Sequence, residues 1–249
     1  KEFRENAKVE GFQASVHIQV GAADPIAEAI WIDSIAQANP DWPLVQVVHC
    51  DLTSPTLDKD LDLIQTIPSV RGVRQIVGRS SEEDTKSGTN DLLSSSAFRD
   101  GLIELGNRNL SFDLQLTPEL IEQAANVLNA APGTKTALCH AGSPGDRSEQ
   151  GLAKWSKNLR ILSNIGNVFC KLSGLGMFDH GWTQDSIAPI INECIDQFGS
   201  SRCMFGSNFP VDSLYSDYQS LIQAYRSIVS KEDSEMVFYK TAKNFYNIK

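Results

Sequence analysis

Apolar residues gather in seven short runs, at positions 12–20, 44–52, 70–76, 110–116, 136–141, 168–173 and 202–207, each rich in Val, Ile, Leu or Phe. Turn-forming residues close each run and a stretch of helical periodicity follows it, so strand and helix alternate along the chain. That order predicts a parallel sheet joined by crossover helices. Helix starts are legible where Asp24 precedes Pro25 and where Thr117 precedes Pro118, a capping side chain ahead of a residue suited to the first turn. The first such helix repeats Ile26, Ile30, Trp31 and Ile35 on one face. Others are expected over 97–105, 152–165 and 184–198, with two more near the C-terminus.

The strand runs carry a second pattern. In Ser15-Val16-His17-Ile18-Gln19-Val20, as in Phe112-Asp113-Leu114-Gln115-Leu116, aliphatic and polar residues alternate. Strands covered by helices on both faces of an open sheet should be apolar throughout. A barrel admits the alternation, with the aliphatic face against the helix ring and the polar face inward, lining a site near the strand ends. The fold class expected is therefore α/β, a TIM-type (β/α)8 barrel, formed by residues 1–249 as one domain. Seven strands are visible where eight are needed, and the tail over 215–249 reads as helix. The eighth strand is expected ahead of Lys1, with residues 1–10 as the polar lead-in to the first visible strand. The polar stretch 78–96 should be irregular, either a mobile loop over the site or a solvated insertion.

Composition narrows the function classes. A net charge of -9 repels phosphate backbones and anionic lipid surfaces, and no apolar run is long enough to span a bilayer. The partner expected is a small-molecule substrate, with no nucleic acid and no membrane; oligomeric state stays open. The five cysteines, Cys50, Cys139, Cys170, Cys194 and Cys203, are odd in number, have no Cys-x-x-Cys spacing and sit mostly in apolar runs. Free thiols in a reducing, cytoplasmic compartment are the reading. Asn109-Leu110-Ser111 matches a glycosylation acceptor but leads into a strand, so the match is read as chance.

Every strand end carries polar residues: His17 and Gln19, His49 and Asp51, Arg74 and Gln75, Asp113 and Gln115, His140, Lys171 and Ser173, then Ser207 and Asn208. Isolated buried polar groups each need a partner, so seven such ends in a row point to a site. Taken singly, His17 and His49 read as hydrogen-bonded core or rim groups, Asp51 as a turn cap, and Asp113 as a counter-ion of Arg74 or Lys171. Arg74 suits a carboxylate, which a planar guanidinium grips bidentately. Lys171, between Cys170 and Leu172, must be paired or shifted in pKa. His140 precedes the loop Ala141-Gly142-Ser143-Pro144-Gly145, which allows close backbone approach by a ligand. The loop over 174–182, with Phe178 and Trp182, either closes over a ligand or is anchored by those aromatics.

The segments Val16-His17-Ile18-Gln19, Gly72-Val73-Arg74-Gln75, Phe112-Asp113-Leu114-Gln115, His140-Ala141-Gly142-Ser143-Pro144, Cys170-Lys171-Leu172-Ser173-Gly174-Leu175 and 202–211 resemble the amidohydrolase-2 family. In particular they resemble its TIM-barrel hydrolases that include sugar-lactone and pyrone-dicarboxylate lactonases. The resemblance implies a hydrolase of a small carboxylated or hydroxylated lactone or ester. A metal-dependent decarboxylase of the same superfamily, or a silent barrel that binds a small acid, is the alternative. It implies His140 as the histidine that binds metal or polarises the scissile carbonyl, with Lys171 and Asn208 completing the catalytic set. His17, Gln19, Arg74, Asp113 and Gln115 are then substrate-binding candidates. The cofactor implied is one divalent metal, zinc or manganese, with metal-free chemistry as the alternative. Two departures stand out. The family's first-strand His-x-His pair has no counterpart, and Asn208 occupies the place of the last-strand aspartate, a metal ligand or the base for water. A neutral amide cannot take that proton. Asp179 and Asp212 are the replacement candidates, although Asp212 could equally cap the following helix.

Overall fold

In the computed structural model, which describes residues 2–79 and 81–249, the seven runs form β1 (Ser15–Ile18), β2 (Leu44–His49), β3 (Val70–Ile76), β4 (Ser111–Gln115), β5 (Thr136–Leu138), β6 (Val168–Leu172) and β7 (Cys203–Phe205). They pair in parallel and in chain order. Helix α1 (Glu2–Val9) precedes β1, and α2 (Pro25–Ala38) and α3 (Leu57–Gln65) follow β1 and β2. After β3 come α4 (Ser81–Ser87) and α5 (Ser96–Asn107), after β4 α6 (Ile121–Asn129), after β5 α7 (Glu149–Ser163) and after β6 α8 (Gln184–Phe198). The chain ends in α9 (Tyr218–Ile228), α10 (Lys231–Glu235) and α11 (Thr241–Phe245). This is the α/β barrel order with seven strands, and among the described residues nothing pairs β1 with β7.

Apolar side chains divide between two layers. Outside the sheet, Val73, Phe112, Leu114 and Leu172 pack with Phe98, Leu102, Trp155 and Ile187 of the helices, and each fully buried Phe or Leu contributes roughly 1.5–3 kcal/mol. Inside it, Val45, Val47, Ala137 and Met204 meet Phe245 and Tyr246, so the C-terminal helix fills the barrel interior. At the β1/β7 seam Phe12 stacks on Phe205 with ring centroids 5.7 Å apart.

Four expectations change. Residues 2–9 are a helix instead of a strand lead-in, while Lys1 lies outside the described residues. Ala7 of that helix is buried with Trp42, Tyr218 and Ile222, and Arg4 and Lys8, one turn apart, both reach Asp41; tertiary contacts decide the conformation of a polar segment too short to hold itself. On α2 the inner face is Ala29, Ile32 and Asp33, whereas Ile30 and Trp31 are exposed. The sheet below α2 is polar: Gln46 donates to the Ala29 carbonyl at 2.9 Å and Ser69 N–H to Asp33 at 2.9 Å, which rotates the polar side of the helix inward. The stretch 78–96 is largely helical, with α4 followed by a 3-10 turn over Thr89–Ser94; Ser80 lies outside the described residues. Asp84 accepts from Asn90 N–H at 2.8 Å, Asn90 brackets Arg79 through both its amide atoms, and Leu93 is buried.

The fourth change concerns β1. Its apolar Val16 and Ile18 face the interior cluster, and its polar side faces α2, where His17 Nε2 lies 2.8 Å from Glu28 and the Gln19 amide donates to Glu28 and to the Pro25 carbonyl. On β4 the expected direction holds, with Phe112 and Leu114 in the outer layer and Asp113 inside.

Candidate active site

A groove of about 1800 Å3 runs along the seam and opens onto the C-terminal ends of the strands, where Arg74, His140, Lys171, Ser173 and Asn208 line it. The register explains the convergence: Arg74 is the cross-strand partner of Asp113, Asp113 of Ala137, and Lys171 of Met204, so their side chains share the inner face.

Beyond β5 the backbone turns through left-handed residues, His140 at φ 54° and Ala141 at φ 53°, a conformation that costs a non-glycine residue roughly 1–2 kcal/mol. The Trp155 indole of α7 holds the turn by donating to the Ala141 carbonyl at 2.7 Å. The turn projects the His140 ring toward β6, where Nδ1 lies 3.1 Å from Ser173 Oγ. Glycine is required beside it, because a Cβ on Gly174 would stand 2.4 Å from His140 Nδ1. Burial, with the charges of Arg74 and Lys171, pushes the His140 pKa down to about 3. The ring is therefore neutral at physiological pH.

Asp113 is fully buried and doubly engaged, by an ion pair with Lys171 and by the Tyr246 hydroxyl at 2.9 Å. Lys171 also stands 5.3 Å from the centre of the Tyr246 ring. Arg74 spans the groove top, donating to the Gln19 carbonyl at 2.8 Å and to Gln115; its Nε has no partner.

After β7, Asn208 adopts φ 55° and its amide donates to Asp212 Oδ1 at 3.0 Å. Asp212 is buried with Oδ2 unpartnered, and burial raises its pKa to about 6. The other replacement candidate, Asp179, accepts from Ser186 Oγ at 2.8 Å and lies 3.8 Å from Arg147, which ties it to the start of α8. Asp51 caps its own turn through Thr53. The loop over 174–182 is anchored, with Trp182 against the outer core and His180 stacked on Tyr215 at 4.6 Å.

Of the sequence candidates, the inner wall thus gathers His140, Lys171, Asn208, Arg74, Asp113 and Gln115. His17, which also lines the groove, bonds α2 through its side chain; the Gln19 side chain bonds α2 and accepts from His49 N–H, and Gln19 reaches Arg74 through its backbone alone. Sequence reasoning missed Tyr246, which is 133 residues from Asp113 and carries no local signal, and Glu28, whose spacing of 11 from His17 follows from the strand-turn-helix unit between them.

The resemblance implies one divalent metal, and the described residues bear on whether this site fits it. They contain no group of three or more His, Cys, Asp or Glu able to hold one. Around His140 the charged neighbours are the cations Arg74 and Lys171, Asp113 is occupied, and Asn208 presents its amide nitrogen to Asp212. Among the described residues this donor set does not by itself fit a divalent cation.

The amidohydrolase family model matches residues 4–248. The uncharacterised protein y4mH of Sinorhizobium fredii is 31% identical over 254 residues, spanning 100% of this chain and 85% of that protein. The L-fucono-1,5-lactonase of Burkholderia multivorans is 33% identical over 124 residues, 44% of this chain and 42% of the lactonase. Among solved structures, a B. multivorans amidohydrolase with bound zinc superposes with a TM-score of 0.86 at 22% identity, covering 100% of this chain and 88% of that one. A 2-pyrone-4,6-dicarboxylic acid hydrolase from Pseudomonas putida, so named provisionally, gives 0.78 at 18% identity, covering 99% and 86%.

Proposed function

Because this chain belongs to the amidohydrolase family, we propose that it hydrolyses a small lactone bearing hydroxyl or carboxylate groups. The observation that carries this reading is the convergence of a neutral histidine, His140, with Arg74 and Lys171 at the strand ends; the likeness to an L-fucono-1,5-lactonase supports it. Water adds to the ring carbonyl, the ring C–O bond breaks with the water's proton passing to the leaving ring oxygen, and a hydroxy acid leaves. His140, fixed by Ser173 and kept uncharged, serves as a hydrogen-bond donor to the carbonyl oxygen as negative charge develops there. Arg74 and Lys171 orient the substrate. Asn208 offers the attacking water an acceptor oxygen, with its amide held in orientation by Asp212.

Five free, buried thiols support a reducing compartment, and we place the chain in the cytoplasm. Acid release from a panel of aldonolactones, followed in a pH-stat, tests the reading. Turnover that His140→Ala abolishes is expected. Release of carbon dioxide from aromatic acids without lactone turnover would replace it with decarboxylation, and ligand binding with no turnover of either kind would leave a silent barrel.

A further inference from the structure

The charges on the inner wall do not cancel. Lys171 is matched by Asp113, whose oxygens also accept from Tyr246. His140 is held neutral. Arg74 is 6% exposed, and its side-chain partners are uncharged, the Gln19 carbonyl and the Gln115 amide oxygen; no carboxylate pairs with it among the described residues, and its Nε is unpartnered. A guanidinium withdrawn from water without a counter-ion is a standing cost, and a ligand carboxylate relieves it through charge-assisted hydrogen bonds. A second ligand carboxylate would find the neighbouring ammonium already neutralised and the Asp113 charge beside it.

We propose that the substrate is a lactone carrying a single carboxylate, bound by Arg74, rather than a neutral sugar lactone or a lactone dicarboxylate. The inference deepens the lactonase reading and takes its reaction from it. Arg74 is then the residue that sets specificity, and the neutral carbonyls around it hold the guanidinium in place without satisfying its charge.

The test uses galactaro-1,4-lactone and galactono-1,4-lactone, which differ in a carboxylate against a hydroxymethyl at C6, with 2-pyrone-4,6-dicarboxylate as the dianion. Wild-type kcat/KM should favour the monocarboxylate over both others by about tenfold or more, the value of one charge-assisted hydrogen bond. Arg74→Gln should erase that preference, with kcat/KM for the monocarboxylate falling about tenfold further than kcat/KM for the neutral lactone. Calorimetric titration of His140→Ala with the same three compounds gives the binding order without turnover, so it does not depend on Arg74→Gln folding. Equal or better turnover and binding of the neutral lactone or of the dicarboxylate overturns the inference. A wild type that hydrolyses none of the three, while the titration keeps the monocarboxylate first, counts against the hydrolase reading and leaves the carboxylate selectivity of Arg74 standing.

Discussion

Strands β1 and β4 carry the same alternation of polar and apolar residues and point it in opposite directions. On β4, Phe112 and Leu114 meet the helices, and Asp113 and Gln115 enter the site. On β1, Val16 and Ile18 look inward onto the cluster of Phe245 and Tyr246, while His17 and Gln19 look outward to Glu28. A period of two fixes that the faces differ and says nothing about which face is buried. Direction is decided by what each face meets. The interior beside β1 is apolar because the C-terminal helix fills it, and α2 brings a carboxylate to the outside. The interior beside β4 holds an ammonium and a tyrosine hydroxyl, which make a buried aspartate tolerable.

That contrast can be broken on either side. The largest effect is expected at Lys171. Removing one partner of a buried pair strands the other, so Lys171→Met should destabilise the fold by about 3–5 kcal/mol in urea denaturation, and Lys171→Met with Asp113→Leu should recover much of the loss. If Lys171→Met unfolds at the wild-type midpoint, the pair is not what holds the inner face polar.

A smaller, pH-dependent effect is expected at Asp212. Its folded-state pKa of about 6 exceeds the ordinary 3.8, so its favourable contribution is fully present below about 3.8 and is lost as pH rises through 6. Asp212→Asn removes the buried charge and keeps an acceptor for Asn208. The variant should therefore gain up to about 3 kcal/mol at pH 8, at 1.36 kcal/mol per pKa unit, and the gain should vanish near pH 4. Thermal unfolding across that range reads the difference; a gain that grows toward low pH would contradict it.

The smallest effect belongs to β1. Glu28→Gln keeps the shape and one acceptor for His17, whose side chain is about a third exposed. Stability should fall by less than about 1 kcal/mol, with kcat unchanged; a tenfold loss of kcat would return the β1 polar face to the site.

The same contrast shows what the sequence made legible. All seven strands and the parallel order were readable because each run is bounded by turns and followed by a helix, a local signal. So was the candidacy of Arg74, Asp113, His140, Lys171 and Asn208, since strand-end polarity is also local. The inner face of α2 was not legible, because Ile30 and Trp31 belong to its apolar repeat, whereas the surface below answers to Asp33 and Ala29 through Ser69 and Gln46. Tyr246 could not be assigned to Asp113 without the fold, as nothing near the C-terminus marks which strand it will reach. The role of Asp212 was open between cap and replacement acid; its bond to Asn208 and its unpartnered oxygen place it behind the amide.

The central claim is that the inner wall from β3 to β7, and not the polar face of β1, performs the chemistry. The most direct test is kcat/KM on a lactone the wild type turns over, compared between His140→Ala and His17→Ala. Loss of an oxyanion-stabilising donor predicts a fall of roughly 10²–10³ for His140→Ala, with His17→Ala within about twofold of wild type. Near-wild-type turnover by His140→Ala, or an equal fall in His17→Ala, would contradict the account.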